Sequence, residues 1–285
     1  MKYPTQSKAI LAAISRLERK AATPTVFDAF VKSFSDEAIK SGDLLKDLLK
    51  SGKLVRYDFP FLNRKKTIFA LRETPLVSLI LEISENAYIS HGTAATIHGL
   101  TAKIKDIYVN IEQTKASPQG NILGQSALNR AFASKPRFTT NIVTEGKVSI
   151  IQLNGKNTKK LGVKQHELKA GKNTYTLRVT SLERTLVDIA TRPINAGGPA
   201  VVLECFQNAS RKVDVKKLVQ TLKEINHIYP YHQAIGYYME KSGAYSQSEI
   251  ALLKKIPREL EFFLDYAMQE KTFCAQWKIW VPIKL

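Results

Sequence analysis

Apolar residues recur at helical spacing in three short segments at the start of the chain. The spacing predicts helices over residues 7–19 and 25–34, separated by Thr23-Pro24, and a third helix that follows a Ser35 N-cap and ends at Ser51-Gly52. The side chains predicted to face inward are Ile10, Leu11, Ile14, Leu17, Val26, Phe27, Phe30, Val31, Ile39, Leu45, Leu48 and Leu49.

A hairpin pattern follows these helices. Residues 53–59 and 67–72 read as strands, and the polar run Asn63-Arg64-Lys65-Lys66 between them reads as the hairpin tip. This order is typical of a winged helix-turn-helix domain, in which the third helix enters the major groove and the hairpin reaches the flanking backbone. The third helix also carries carboxylates. Either they point away from the duplex or the hairpin and first helix supply most of the affinity; the carboxylates are Asp36, Glu37, Asp43 and Asp47.

The remaining residues alternate between strand and helix patterns and then become helical. We predict an α+β fold with an N-terminal winged-helix domain over residues 1–73 and a second domain over 74–285, mixed α/β in 74–180 and mainly helical in 181–285. Its predicted helices cover 76–83, 91–99, 181–193, 199–209, 214–226, 229–242 and 249–255. Its predicted strands cover 106–112, 138–143, 148–153, 174–179 and 276–283, with loops over 115–126 and 154–160.

The charge of the chain favours a polyanionic partner. Its 43 Lys and Arg residues against 25 Asp and Glu residues give a net charge of +18. The net charge is +7 in residues 1–75, +8 in 76–180 and only +3 in 181–285. Nucleic acid is the commonest partner of so basic a chain, and the first two thirds are the expected faces. A lysine-rich surface that only maintains solubility is the alternative for the middle segment.

The sequence predicts a cytoplasmic protein without a membrane span. No run of about 18 apolar residues occurs, and the first ten residues lack the order of a signal peptide. Cys205 and Cys274 make neither a disulfide framework nor a zinc site.

The candidate DNA-binding residues lie on the third helix and the hairpin. On the helix they are Lys40, Ser41 and Lys46, and on the hairpin they are Arg56, Tyr57, Arg64, Lys65 and Lys66. The lysines would neutralise phosphates, a role that is independent of base sequence and sensitive to salt. The basic loop residues Lys156, Lys159 and Lys160 are a second candidate contact, either for DNA or for a protein partner.

Catalytic and metal-binding patterns are not evident in the sequence. Gly155-Lys156 and Gly171-Lys172 lack the spacing of a phosphate-binding loop, and no D-x-D pair is available to hold magnesium. His91 and His98 are seven residues apart, which favours structural hydrogen bonds over a metal pair. We therefore predict a protein that is not an enzyme, with no catalytic residue, metal or cofactor.

One charged group has two interpretations. Glu183, Arg184 and Asp188 could form an acid/base or metal cluster where a strand meets a helix. The favoured interpretation is structural: Ser181 caps the helix, Glu183 lies in its first turn, and Arg184 pairs with Asp188 at i,i+4.

Several segments resemble the antitoxins of the AbiEi type. YISHGTAA at residues 88–95 with HGLT at 98–101 is similar to the entry motif of that family, and VTSLERTLVD at 179–188 is similar to its V-T-S-x-E-R-T-L-[LV]-D motif. Gly197-Gly198 follows at the family's spacing, AIGYYME at 234–240 resembles its R-L-G-[YF]-L-L-E helix with Ala234 in place of arginine, and the ending at 277–282 is also similar.

The resemblance implies an antitoxin of a toxin–antitoxin system of the kind used in phage defence. Such a protein represses its own operon by binding inverted repeats in double-stranded promoter DNA, and it neutralises a co-encoded toxin of the nucleotidyltransferase type. Two alternatives remain open from the residues alone. They are a metal-dependent nuclease whose carboxylates only the fold brings together, and a stand-alone transcription factor whose second domain binds a small ligand.

Overall fold

The chain has a mixed α+β fold, as predicted. The computed structural model describes residues 2–34, 40–61, 64–114 and 123–285, except for the side chain of residue 64. Within these ranges, no helix combines the length and apolar character needed to cross a bilayer.

The first elements are three helices and a small sheet. The helices are α1 (Pro4–Arg16), α2 (Pro24–Phe34) and α3 (Ser41–Lys50), and the strands are β1 (Ala21–Ala22), β2 (Leu54–Phe61) and β3 (Arg64–Leu71). Proline at the start of α1 suits a helix N-terminus, where its missing N–H leaves no bond unmade. The helices bury a shared apolar cluster that includes Ile10, Ile14, Phe27, Val31, Leu44 and Leu48.

Two predictions for this region were wrong. Helix α3 begins at Ser41, because Lys40 has an extended backbone (φ −73°, ψ 132°) and serves as the N-cap. The predicted Ser35 cap, together with Asp36 and Glu37, lies outside the described residues. Val26 was expected to face inward but is 37% exposed, since α2 turns Phe27 and Val31 toward the core instead.

The hairpin of β2 and β3 packs on both of its faces. The strands are antiparallel, and β1 pairs with β3 on the other side. Leu54 and Phe69 belong to the cluster beneath the helices. Phe59, Phe61 and Ile68 belong instead to a cluster that includes strands of the second sheet. The hairpin is therefore held between the helices and the remainder of the chain, and an apolar cluster spans the predicted boundary at residue 73.

The middle of the chain forms a sheet of six strands, in the order β6-β7-β5-β4-β9-β8. The strands are β4 (Ala87–Ile89), β5 (Ile107–Ile111), β6 (Ile142–Glu145), β7 (Val148–Leu153), β8 (Val163–Ala170) and β9 (Asn173–Thr180). The pairs β4–β9 and β5–β7 are parallel, and the others are antiparallel. The helices of this part are α4 (Leu76–Leu79), which continues as a 3-10 turn, α5 (His91–Ile97) and α6 (Gln125–Ala133).

The last hundred residues are mainly helical, as predicted. The helices are α7 (Leu182–Thr191), α8 (Pro199–Ala209), α9 (Val215–Ile225), α10 (Tyr231–Ser242) and α11 (Gln247–Lys254), and a small sheet contains β10 (Phe262–Phe263), β11 (Lys271–Cys274) and β12 (Ile279–Pro282). Cys205 is fully buried in the core of this part, and neither cysteine forms a disulfide.

Candidate nucleic-acid interface

Helix α3 exposes a face with a surplus of positive charge. Leu44 and Leu48 are fully buried, which turns Lys46 and Lys50 outward together with Asp43. Lys40 is exposed, and its carbonyl oxygen accepts the backbone N–H of Asp43 at 3.0 Å. Ser41 is half-buried in the first turn. The helix can therefore present cationic side chains to phosphate from its N-cap to its last turn.

Asp47 of the same helix is turned toward the chain's first residues. Its Oδ2 accepts the backbone N–H of Lys2 at 2.8 Å and that of Tyr3 at 3.4 Å. These two backbone N–H groups are partners of the carboxylate and lie at the N-terminal end of the chain, away from Lys46 in the sequence.

The hairpin carries a cationic pair organised by one carboxylate. Asp58 Oδ2 lies 3.1 Å from Arg56 Nε and 3.3 Å from Lys65 Nζ. The Thr67 hydroxyl donates to Asp58 Oδ1 at 2.6 Å. These contacts, first the Thr67 hydrogen bond and then the two cations, lower the pKa of Asp58. The cluster keeps one net positive charge and holds both cationic groups on one face of the hairpin.

Lys66 and Tyr57 do not share that face. Successive strand residues point to opposite sides, and Lys66 pairs with Phe59, whose side chain is fully buried against the second sheet. Tyr57 stacks on Phe59 with ring centroids 6.3 Å apart, and burial raises its pKa. Strand alternation therefore places Arg56 and Lys65 on one face of the hairpin and Tyr57 and Lys66 on the other.

The basic run also differs in position from the prediction. Arg64, Lys65 and Lys66 were placed in the polar tip, but they are strand residues paired with Phe61, Pro60 and Phe59. Asn63 and the side chain of Arg64 lie outside the described residues. Lys65 is exposed, and it shares the Asp58 carboxylate with Arg56.

The three lysines of the 154–160 loop differ in their contacts. Lys156 Nζ donates to the carbonyl oxygens of Ile225 and Asn226, at 2.8 Å each, and so caps the C-terminal end of α9. The Lys156 side chain is therefore engaged within the fold. Lys159 and Lys160 are exposed, and both have a left-handed backbone (φ 54° and 56°). They remain available to a partner.

A buried hydrogen-bonded chain joins this loop to the sheet. Asn110 Nδ2 donates to the Tyr88 hydroxyl at 2.6 Å, and that hydroxyl donates to Glu112 at 3.0 Å. Glu112 also accepts the hydroxyl and backbone N–H of Thr158. Burial opposes ionisation of Glu112, but the Thr158 hydrogen bonds and that from the Lys160 N–H outweigh it and lower the pKa. The ionised carboxylate thus holds the loop in place.

The same series of hydrogen bonds extends to helix α7 through Arg184. Its Nη1 donates to the Thr158 hydroxyl at 3.2 Å, and its Nε lies 2.8 Å from Asp188 Oδ1. Ser181 Oγ accepts the Arg184 backbone N–H as the N-cap. The predicted cap and i,i+4 pair are confirmed, and both charged side chains are almost fully buried. Within the described residues, no group of three or more His, Cys, Asp or Glu side chains could hold a metal ion.

The two histidines of the 88–101 segment make the structural bonds that were expected. His98 Nε2 lies 2.7 Å from the carbonyl oxygen of Thr180, and His91 Nδ1 lies 2.8 Å from the Ser90 hydroxyl. Burial lowers the pKa of His91 to about 4. His91 also has a left-handed backbone at φ 50°, which few non-glycine residues adopt.

A solved structure shares the fold of this chain. The chain is similar to the crystal structure of the Rv2827c protein from Mycobacterium tuberculosis, with a TM-score of 0.59 and 15% identity over 98% of this chain and 92% of that chain. At this identity the likeness shows a shared fold. No family model matches the chain. No curated protein matches it either.

Proposed function

We propose that residues 1–73 act as a winged-helix DNA-binding domain, with α3 as the recognition helix and the β2–β3 hairpin as the wing. The observation that carries this proposal is the outward face of α3, where Lys46 and Lys50 are exposed while Leu44 and Leu48 are buried. The Arg56–Lys65 pair on the hairpin adds a second cationic group. Phosphate contacts of this kind fix the register of a protein on the duplex.

We further propose that the protein is an antitoxin that represses its own operon and neutralises a co-encoded nucleotidyltransferase-type toxin. The support is the AbiEi resemblance of five segments along the chain. Several residues that carry the resemblance also contact one another in the fold. Tyr88, Arg184 and Asp188 belong to one hydrogen-bonded chain, and Gly236 lies directly against Trp277. Residues whose contacts fix the packing are the ones that proteins with the same fold are expected to keep.

The DNA-binding proposal is tested by the salt dependence of binding. The variant K46Q/K50Q and the full-length wild type are titrated with a labelled fragment of the protein's own promoter between 50 and 300 mM salt. If both lysines contact phosphate, the slope of log K against log salt falls by about 2 in K46Q/K50Q. K216Q/K217Q removes two exposed lysines from α9 and is the matched control. Equal slopes in all three proteins would remove α3 from the interface.

The antitoxin proposal is tested by growth rescue. Co-expression with the adjacent reading frame, if that frame encodes a nucleotidyltransferase, should restore growth that the frame alone suppresses. K46Q/K50Q should rescue as well as the wild type when both are expressed from an unrelated promoter, because neutralisation and operator binding would use different surfaces. Growth arrest that persists in the presence of soluble full-length protein would refute the antitoxin assignment while leaving the DNA-binding test unaffected.

A further inference from the structure

Two cavities meet at a pair of arginines between the six-stranded sheet and the helical part. One cavity, of about 490 Å³, is lined by Asn110, Asn195 and Phe138 among others, and the second, of about 470 Å³, by Lys135, Tyr229 and Tyr266 among others. Arg137 and Arg192 line both. Each volume falls in the range of about 300–1,000 Å³ that is typical of small-molecule sites. We name this pair of cavities the arginine cleft.

The residues that line the arginine cleft carry positive charge and no negative charge. Among the described residues that line the two cavities there is no Asp or Glu. Neither Arg137 nor Arg192 forms an ion pair within the described part of the chain. Arg192 is instead held with its guanidinium 5.3 Å from the centre of the Tyr266 ring. Two guanidinium groups that no carboxylate satisfies form a site for a phosphate, which arginine binds through paired N–H donors.

The walls of the first cavity contain buried polar groups that face it. Asn195 is only 6% exposed and lines this cavity. Asn110 is 3% exposed and is held by hydrogen bonds to Tyr88 and to the backbone N–H of Gly155.

The position of the cleft within the fold is one that ligands commonly use. Asn110 lies near the carboxyl end of β5, and Asn154 and Gly155 follow directly after its parallel neighbour β7. Ligands of open α/β sheets bind beyond the carboxyl ends of the strands. The left-handed backbone of His91 lies in the same wall, and strained residues of this kind cluster at functional sites.

We propose that the arginine cleft binds a nucleotide. The base lies in the first cavity, where the amide of Asn195 reads its edge and Phe138, which is 41% exposed, packs on its face. The phosphates lie between Arg137 and Arg192 and extend toward Lys135 in the second cavity. The nucleotide comes either from a free nucleoside triphosphate or from the phosphorylated end of a nucleic-acid strand, because both present the same chemistry to the cleft.

The test is equilibrium binding to the full-length chain at 150 mM salt, by calorimetry, with ATP, GTP, CTP and UTP as free ligands. A 5′-triphosphorylated RNA trinucleotide and a 5′-phosphorylated DNA trinucleotide form the second arm, and whichever arm binds more tightly identifies the source. The key variant is Arg137→Gln, since that side chain is exposed and unpaired among the described residues and its loss threatens no packing. We expect it to weaken binding on the order of tenfold, as for the loss of one charged hydrogen-bonding group.

Two controls make the result decisive. R211Q/K212Q removes two exposed cations from the end of α8 and should bind like the wild type. Phe138→Ala should weaken nucleotide binding but leave binding of inorganic triphosphate unchanged. The proposal is overturned if no nucleotide or trinucleotide binds at millimolar concentration, or if Arg137→Gln binds as tightly as the wild type. It is also overturned if inorganic triphosphate binds as well as every nucleotide.

Discussion

Gly236 of helix α10 lies directly against the indole ring of Trp277. A Cβ at position 236 would lie 2.1 Å from the nearest ring carbon, and Trp277 is fully buried. The indole Nε1 donates to Glu240 on the same helix at 2.7 Å, which fixes the ring from its polar side. The glycine is therefore required by the close approach of the C-terminal segment to α10, since no other side chain leaves space for the ring.

Gly236→Ala should destabilise the protein. Overpacking of this kind typically costs about 1–3 kcal/mol, because the ring is held and cannot move away. Gly42→Ala is the contrasting variant, since a Cβ there meets no atom within 4 Å and alanine favours the helix by up to about 1 kcal/mol. The free energy of unfolding, from urea titrations of both variants, should move in opposite directions. A Gly236→Ala protein as stable as the wild type would mean that Trp277 adjusts freely.

Removing Arg184 alone should be more harmful than removing the pair. Arg184→Met leaves the Asp188 carboxylate buried without its ion-pair partner, a change that typically costs about 3–5 kcal/mol. Arg184→Met with Asp188→Leu removes both charges and should recover part of that loss. The measurement is a double-mutant cycle by chemical denaturation. Additive costs would show that the two side chains contribute independently.

Acid should destabilise the fold through its buried histidines. The pKa of His91 is lowered to about 4 by burial, whereas the unfolded chain protonates near 6.5. The unfolded state therefore binds more protons between these values, and stability falls as the pH drops from about 6.5 to 4. His227 and His232, whose pKa values are also lowered to about 4 by burial, add to this loss.

His91→Asn isolates the contribution of one histidine to the loss of stability in acid. Asparagine tolerates the left-handed backbone at position 91 and does not titrate. The variant should lose less stability than the wild type between pH 6.5 and 4, by on the order of 2 kcal/mol. Unfolding titrations at pH 7, 5.5 and 4.5 measure the difference. Parallel stability curves for the two proteins would show that His91 is not buried in its neutral form.

The lysines of the 154–160 loop should separate into two classes. Lys156→Met removes the donor that caps α9 and should lower the free energy of unfolding by about 1 kcal/mol without changing DNA affinity. K159Q/K160Q should leave stability within about 0.5 kcal/mol of the wild type, since both side chains are exposed.

The same double variant separates the two roles left open for this loop. A smaller salt slope with promoter DNA would assign Lys159 and Lys160 to phosphate contacts, and weaker growth rescue would assign them to the protein partner. If K156M weakened DNA binding as much as K159Q/K160Q, the division of the loop described above would be wrong.

Strong periodicity and cap residues predicted the helical part well. The predicted bounds of α8, Pro199–Ala209, are those of the structure, and the Ser181 cap of α7 is confirmed by its bond to the Arg184 N–H. Strand β8 was missed because an edge strand with half-exposed side chains shows no alternation of apolar and polar residues. Helix α6 was missed because it buries only Leu128 and Phe132, too few positions to define a period.

The candidate sites could be predicted less well than the fold. Charge located the basic residues, but nothing local in the sequence indicates that Lys156 reaches α9, almost 70 positions later. Lys65 and Lys66 lie on opposite faces of the hairpin because both are strand residues. The sequence placed them in the turn, where this alternation does not apply. The arginine cleft joins Arg137 and Arg192 from distant segments, so no sequence motif marks it.

The aromatic residues of the hairpin determine how a fragment of the N-terminal region would behave. Because Phe59 and Phe61 complete an apolar cluster with the six-stranded sheet, a fragment cut after residue 73 would leave both rings bare to solvent. Such a fragment is expected to self-associate, so a failure of the fragment to bind DNA would say nothing about the full-length protein. The same apolar contacts fix the hairpin on the six-stranded sheet, so the orientation of the proposed DNA-binding face depends on residues beyond the first 73.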